Sequence, residues 1–102
     1  MKPIGLHNYF TYILTNKSKE VLYIEVTNDI KRRIYEHEFD ANNTKETFAG
    51  KYNCTYLIYW ERFDYIDMAI AREKQLKGWR RSKKEVLINE FNPEWRFLNN
   101  EI

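Results

Sequence analysis

Tyr12, Tyr23, Arg33, His37 and Glu73 are side chains whose types and spacing could assemble a hydrolytic site. An arginine grips phosphate oxygens through the planar fork of its guanidinium. A tyrosine hydroxyl or an imidazole can orient a water molecule or take its proton. One carboxylate suffices for Mg²⁺, which keeps several of its own waters. Together the set suggests phosphodiester chemistry. Taken singly, each has a plainer reading: the tyrosines as sheet aromatics with solvated hydroxyls, Arg33 as a side chain snorkelling beside the core, His37 as an ordinary helix residue, and Glu73 neutralised by Lys77 or Arg80.

The elements that must position these groups follow from hydrophobic period. Tyr9 to Thr15 (YFTYILT) and Glu20 to Val26 (EVLYIEV) are aromatic and β-branched, and Asn16 to Lys19 between them are turn-prone, so they form a hairpin. A turn centred on Lys17 and Ser18 sets Tyr12 opposite Tyr23 and Phe10 opposite Glu25. A slip of one residue would part the two hydroxyls onto opposite faces. Thr27, Asn28 and Asp29 then offer N-cap side chains to a helix carrying Ile30 and Ile34, with Arg33 and His37 bordering that apolar stripe and Lys31 and Arg32 pointing outward.

Asp40 to Tyr52 is polar and reads as a loop with a turn of helix over Thr44 to Ala49. Asn53 to Phe63 is apolar on both faces, which marks it as the central strand. Asp64 can cap a helix from Tyr65 to about Arg80, whose stripe of Ile66, Ala69, Ile70 and Leu76 encloses Glu73, an acidic residue on a buried face. Ser82 and Glu85 are spaced as a capping box for a last helix with Val86, Leu87 and Phe91 inward, ended by Asn92-Pro93. Trp95, Phe97 and Leu98 can fold back over the core, and Asn99 to Ile102 should fray.

At 102 residues with 43% apolar and 17% aromatic content, the chain supports one small domain, with its core at about 7–98. No run approaches a membrane span, and the opening Met1 to His7 carries no leader-like stretch. The lone Cys54 rules out an internal disulfide and a cysteine-based zinc site, and cytoplasm is the expected compartment. A net charge of +2 is too balanced to argue for nucleic acid alone. Distribution matters more: Lys31, Arg32 and Arg33 form one basic cluster, and Lys77, Arg80, Arg81, Lys83 and Lys84 around Trp79 form a denser one.

Several separated stretches, in order, resemble the GIY-YIG nucleases, most closely the small stand-alone bacterial members called UPF0213 proteins. The carriers are Phe10-Thr11-Tyr12 with Ile13-Leu14-Thr15-Asn16, then Leu22 to Asp29, Arg32-Arg33, His37, Ala71 to Lys77, and Asn92-Pro93-Glu94-Trp95. The resemblance implies an α+β fold, a three-stranded antiparallel sheet flanked by helices in the order β-β-α-(α)-β-α-α. It also implies hydrolysis of nucleic-acid phosphodiesters with one divalent metal, Mg²⁺ or Mn²⁺, and DNA ahead of RNA as substrate. On this footing Tyr12 and Tyr23 activate or position water, Arg33 stabilises the phosphate, Glu73 holds the metal, and Asn92 lies near the site. His37 occupies a helix position that often carries His or Tyr.

One departure bears on activity. The second motif's glycine is Glu25 here, a negative charge on the face of Tyr12 and Tyr23. Two unit charges about 6 Å apart repel by roughly 2 to 3 kcal/mol at an effective dielectric of about 20. Repulsion of phosphate is therefore expected, with a nucleic-acid-binding module that has lost its chemistry as the alternative to a nuclease.

Overall fold

In the computed structural model, residues 8–102 are described; residues 1–7, and with them the leader-free opening read from the sequence, lie outside these. Strand β1 (Tyr9–Thr15) alternates Tyr12 and Leu14 on one face with Thr11, Ile13 and Thr15 on the other, and all five are fully buried. A strand buried on both faces belongs in the middle. The sheet order is indeed β2-β1-β3, antiparallel throughout, with β2 at Leu22–Thr27 and β3 at Tyr56–Phe63.

This corrects the placing of the third strand at the centre. The apolar character of β3 has another cause, which is that the C-terminal segment covers its outer edge. Leu98 N donates to Leu57 O at 2.7 Å, Asn99 Oδ1 accepts from Leu57 N at 2.9 Å, and Asn99 Nδ2 donates to Thr55 O at 2.8 Å. Asn99 to Glu101 form a short 3₁₀ turn, so this stretch is tied to the sheet and not frayed. Where the pairing of β1 with β3 shifts register between Ile13 and Leu14, Asn92 Nδ2 donates to Ile58 O at 3.1 Å.

The hairpin register also differs from expectation, and by two residues. Tyr12 faces Glu25, Leu14 faces Tyr23, and Phe10 faces Thr27. The loop is longer than a two-residue turn because Asn16 closes it: Lys19 N donates to Asn16 O at 2.9 Å, while Asn16 Oδ1 accepts from Glu20 N at 2.9 Å and Val21 N at 3.1 Å. Lys19 takes φ 62° there, and β2 begins only at Leu22. An even shift preserves the faces, so Tyr12, Tyr23 and Glu25 stay together.

On that face lie α1 (Ile30–Asn42) and α2 (Phe48–Lys51), around a core of Tyr12, Leu14, Ile30, Ile34, Ala49, Cys54, Leu57 and Leu98. Asp29 caps α1 by accepting from Arg32 N at 3.0 Å. The helix runs past the polar boundary at Asp40 because that side chain organises the loop beyond it. The Asp40 carboxylate accepts from Thr44 Oγ1, from Glu46 N at 3.0 Å, and from Thr47 N and Oγ1 at 2.9 and 2.7 Å. Thr47 then caps α2. A β-carbon on Gly50 would meet Asp40 Oδ2 at 1.9 Å, so only glycine lets the two segments close.

The other face carries α3 (Ile66–Lys77) and α4 (Arg81–Phe91), around Ile13, Ile24, Ile58, Tyr59, Leu76 and Ile88. Two capping expectations fail. Asp64 pairs with Arg62 at 2.8 Å and leaves α3 without a side-chain cap. The Ser82–Glu85 box does not form, because Gly78 ends α3 early enough for α4 to start at Arg81; Ser82 falls inside its first turn and Glu85 pairs with Arg81 at 3.2 Å. The inward residue of α4 is Ile88, whereas Val86 and Phe91 are exposed.

Candidate active site

Three elements meet at one carboxylate. β1 delivers Tyr12, β2 delivers Tyr23 and Glu25 two residues apart on the same pleat, and α1 delivers Arg33 and His37 one turn apart. Tyr12 Oη donates to Glu25 Oε1 at 2.7 Å, and Tyr23 Oη donates to Oε2. Arg33 straddles the carboxylate, with Nε 2.7 Å from Oε1 and Nη2 3.3 Å from Oε2. His37 is wholly buried, its Nε2 lying 3.5 Å from Oε1, and neither ring nitrogen has a hydrogen-bond partner. Its ring meets Tyr23 edge-on at 5.5 Å.

The electrostatics follow from that convergence. Burial opposes the charge on Glu25, but His37, Arg33, Tyr23 and Tyr12 outweigh it and hold the carboxyl well below the usual carboxylate range. Tyr12 is pushed far above the ordinary tyrosine range by burial and then by the charge of Glu25; Tyr23 is pushed up by burial and by its hydrogen bond to Glu25. Arg33 is raised by its bond to the same carboxylate. The tyrosines are therefore neutral donors to an anion. The expectation left Glu25 without a neutralising partner, whereas its charge is matched by Arg33.

Glu73, half-buried on α3, pairs with Lys77 at 3.4 Å, and its charge makes a minor contribution to the upward push on Tyr23. The donor set fits a hydrated divalent ion held through this one carboxylate. It does not fit a metal cage, since no group of three or more His, Cys, Asp or Glu side chains is suitably clustered among the described residues. Asn92 is not brought to this cluster. Its amide bonds Ile58 O and Arg96 O at 3.1 and 2.9 Å and accepts from Arg96 N at 3.0 Å, on the β3 side of the sheet.

Among the basic residues, Lys31, Arg32, Lys77, Arg80 and Arg81 are all exposed. Arg32 and Arg33 line a groove of about 420 Å³ with Asn28, Glu36 and Ile66, through which the guanidinium can be reached. Arg81 is committed elsewhere, binding the hairpin loop at Lys19 O, 2.8 Å away, and at Glu20 O. Arg72 and Lys83 stack on Trp79 at 5.3 and 4.4 Å. Sequence reasoning missed the pairing of Glu25 with Arg33. The signal available was an inward-facing arginine on the helix that follows the strand carrying that carboxylate.

A sheet in this order, with tyrosines on adjacent strands and an arginine on the following helix, is the architecture of a nuclease class, and the chain belongs to it: the GIY-YIG catalytic domain matches residues 8–86. Nucleases of this kind generally use a divalent metal and act on nucleic acid. Within the family, the chain is a small UPF0213-type protein. It is 33% identical over 81 residues to a UPF0213 protein of Natronomonas pharaonis, covering 79% of this chain and 91% of that one. It is 31% identical over 85 residues to one of Haloquadratum walsbyi, covering 83% and 92%. The solution structure of a UPF0213 protein from Bacillus halodurans superposes with a TM-score of 0.53 at 26% identity, over 86% of this chain and 89% of that one. No helix of the described residues is long and apolar enough to cross a membrane.

Proposed function

We propose that this protein is a metal-dependent endonuclease of low basal activity, in which Glu25 occupies the seat of the substrate phosphate. The observation that carries this reading is that two tyrosine hydroxyls and a guanidinium fork converge on one carboxylate. Such a set of donors is a seat for an anion with two oxygens, and a phosphodiester presents the same pair of non-bridging oxygens.

In productive binding, Glu25 swings aside and Arg33 with the tyrosines takes the phosphate. Glu73 is the residue that would hold Mg²⁺ or Mn²⁺, which when bound supplies positive charge against the charge developing at the reacting centre. Neutral Tyr12 and Tyr23 orient rather than deprotonate. His37 faces the seat with its Nε2 3.5 Å from Glu25 Oε1, and once Glu25 has swung aside that nitrogen takes the proton of the attacking water. The nucleic acid crosses Lys31 and Arg32 on α1 and Lys77 and Arg80 on the far side, with DNA preferred to RNA.

The test is cleavage of labelled single-stranded, duplex and branched DNA and of RNA, with Mg²⁺, with Mn²⁺ and with chelator. Metal-dependent products that disappear in Glu73→Gln support the reading. Cleavage that persists in chelator, or equally in Glu73→Gln, refutes it. The second reading, a binding module without chemistry, is favoured by the same engagement of Arg33 and predicts salt-dependent binding with no turnover. With about three phosphates neutralised, log affinity would fall against log salt with a slope near −3.

A further inference from the structure

β2 is an edge strand, and beside it lies a groove of about 240 Å³ lined by Leu22, Tyr23, Ile24, Phe48, Lys77 and Lys84. Phe48 is 51% exposed although it is aromatic, and its ring stacks on Tyr23 at 5.7 Å with the planes 17° apart. Tyr52, also exposed, leans against Phe48 at 4.7 Å. Tyr23 thus has two roles: its hydroxyl faces the anion seat, and its ring backs this aromatic row. A large exposed aromatic on a four-residue helix adds little to folding. Yet it is fixed in place, because Asp40 binds Thr44 and Thr47 and thereby sets the start of α2.

Resting on the nuclease reading, we propose that this groove is a subsite for one unpaired nucleobase, stacked on Phe48 next to the phosphate held at the seat of Glu25. Every base has a π-face, so an aromatic shelf accepts it without regard to sequence, and lysines at the rim complement its backbone. Lys77 and Lys84 supply that rim, from α3 and α4. A base still in a Watson–Crick pair brings its partner with it and cannot enter a groove of this size. The substrate class is therefore nucleic acid with an unpaired base at the cleavage point, either single-stranded or able to extrude one. Asp40 is a positioning residue for the shelf.

The experiment uses the full chain in chelator, so that binding is read without cleavage, and an oligodeoxynucleotide carrying 2-aminopurine, single-stranded or annealed. Wild type should quench the probe in the single strand, as stacking does. Phe48→Ala should abolish the quench and weaken single-strand affinity by about tenfold, in line with the loss of one base–aromatic stack, while leaving duplex affinity within about twofold. Phe48→Trp should retain both signals, and circular dichroism of each variant checks the fold. The subsite is overturned if Phe48→Ala binds both forms as wild type does, or loses both equally. If wild type binds no oligonucleotide at all, the nuclease reading falls and the subsite with it.

Discussion

Replacing Glu25 by glycine should strengthen nucleic-acid binding and weaken the fold at once. Two charge-assisted hydrogen bonds join Glu25 to Arg33, at 2.7 and 3.3 Å, with side chains 16% and 31% exposed. Hydrogen bonds to charged groups contribute about 1.5–3 kcal/mol each, and partial exposure here argues for about 2 kcal/mol for the pair together. A phosphate seeking Arg33 must displace that contact, so its removal should raise affinity by roughly thirtyfold at about 1.4 kcal/mol per decade. Stability moves the other way, by about 2 kcal/mol for the lost pair and up to about 1 kcal/mol for glycine in a strand. For a domain of this size that is a fall in Tm of about 10–20 °C. Glu25→Gln should fall between, since its amide oxygen still accepts from a tyrosine and from Arg33 but holds the guanidinium without a charge of its own. Fluorescence anisotropy with a labelled oligonucleotide in chelator reads affinity, and denaturant melts read the fold. Unchanged or weaker binding by a folded Glu25→Gly protein would refute the argument. If cleavage and metal affinity fall together, Glu25 is a ligand and not an occupant.

The depressed pKa of Glu25 makes a statement about acid stability. A carboxyl held low in the folded state contributes stability that is present above the ordinary carboxylate range and is lost as pH falls toward its folded value. Unfolding free energy should therefore drop more steeply for wild type than for Glu25→Gln between about pH 5 and pH 3, by urea titration, and parallel curves would contradict the pairing. Asn92→Ala removes three hydrogen bonds to Ile58 and Arg96 and should cost about 2–3 kcal/mol. Its kcat at a temperature where it is folded should match wild type, and a large selective loss of kcat would instead bring Asn92 into the chemistry.

How much of this was legible depended on whether the deciding contacts were local. The faces of the hairpin follow from a period of two, and Tyr12, Tyr23 and Glu25 were rightly placed together. Their register was not legible, because a side chain, Asn16, sets the loop length by binding Glu20 and Val21. The centrality of β3 was misread for a similar reason: its outer edge is covered by residues some forty positions later, and apolar content cannot distinguish a covered edge from a middle strand. Cap signals at Asp64 and Ser82 were overridden by an ion pair and by the end of the preceding helix. The partner of Glu25 was the hardest to see. An arginine bordering the apolar stripe of the next helix was the available hint, but whether it reaches the carboxylate depended on the docking of α1 against the sheet.

The clasp of Leu98 and Asn99 on the edge of β3 also sets a schedule. While the chain is being synthesised, β1, β2 and β3 can pair before the clasp exists, which leaves the row of backbone groups around Thr55 and Leu57 open to another chain. An uncovered edge of that kind recruits strands from neighbouring molecules, so the period between the emergence of Phe63 and that of Asn99 is when aggregation competes with folding. Removing Leu98 and Asn99 would make that interval permanent.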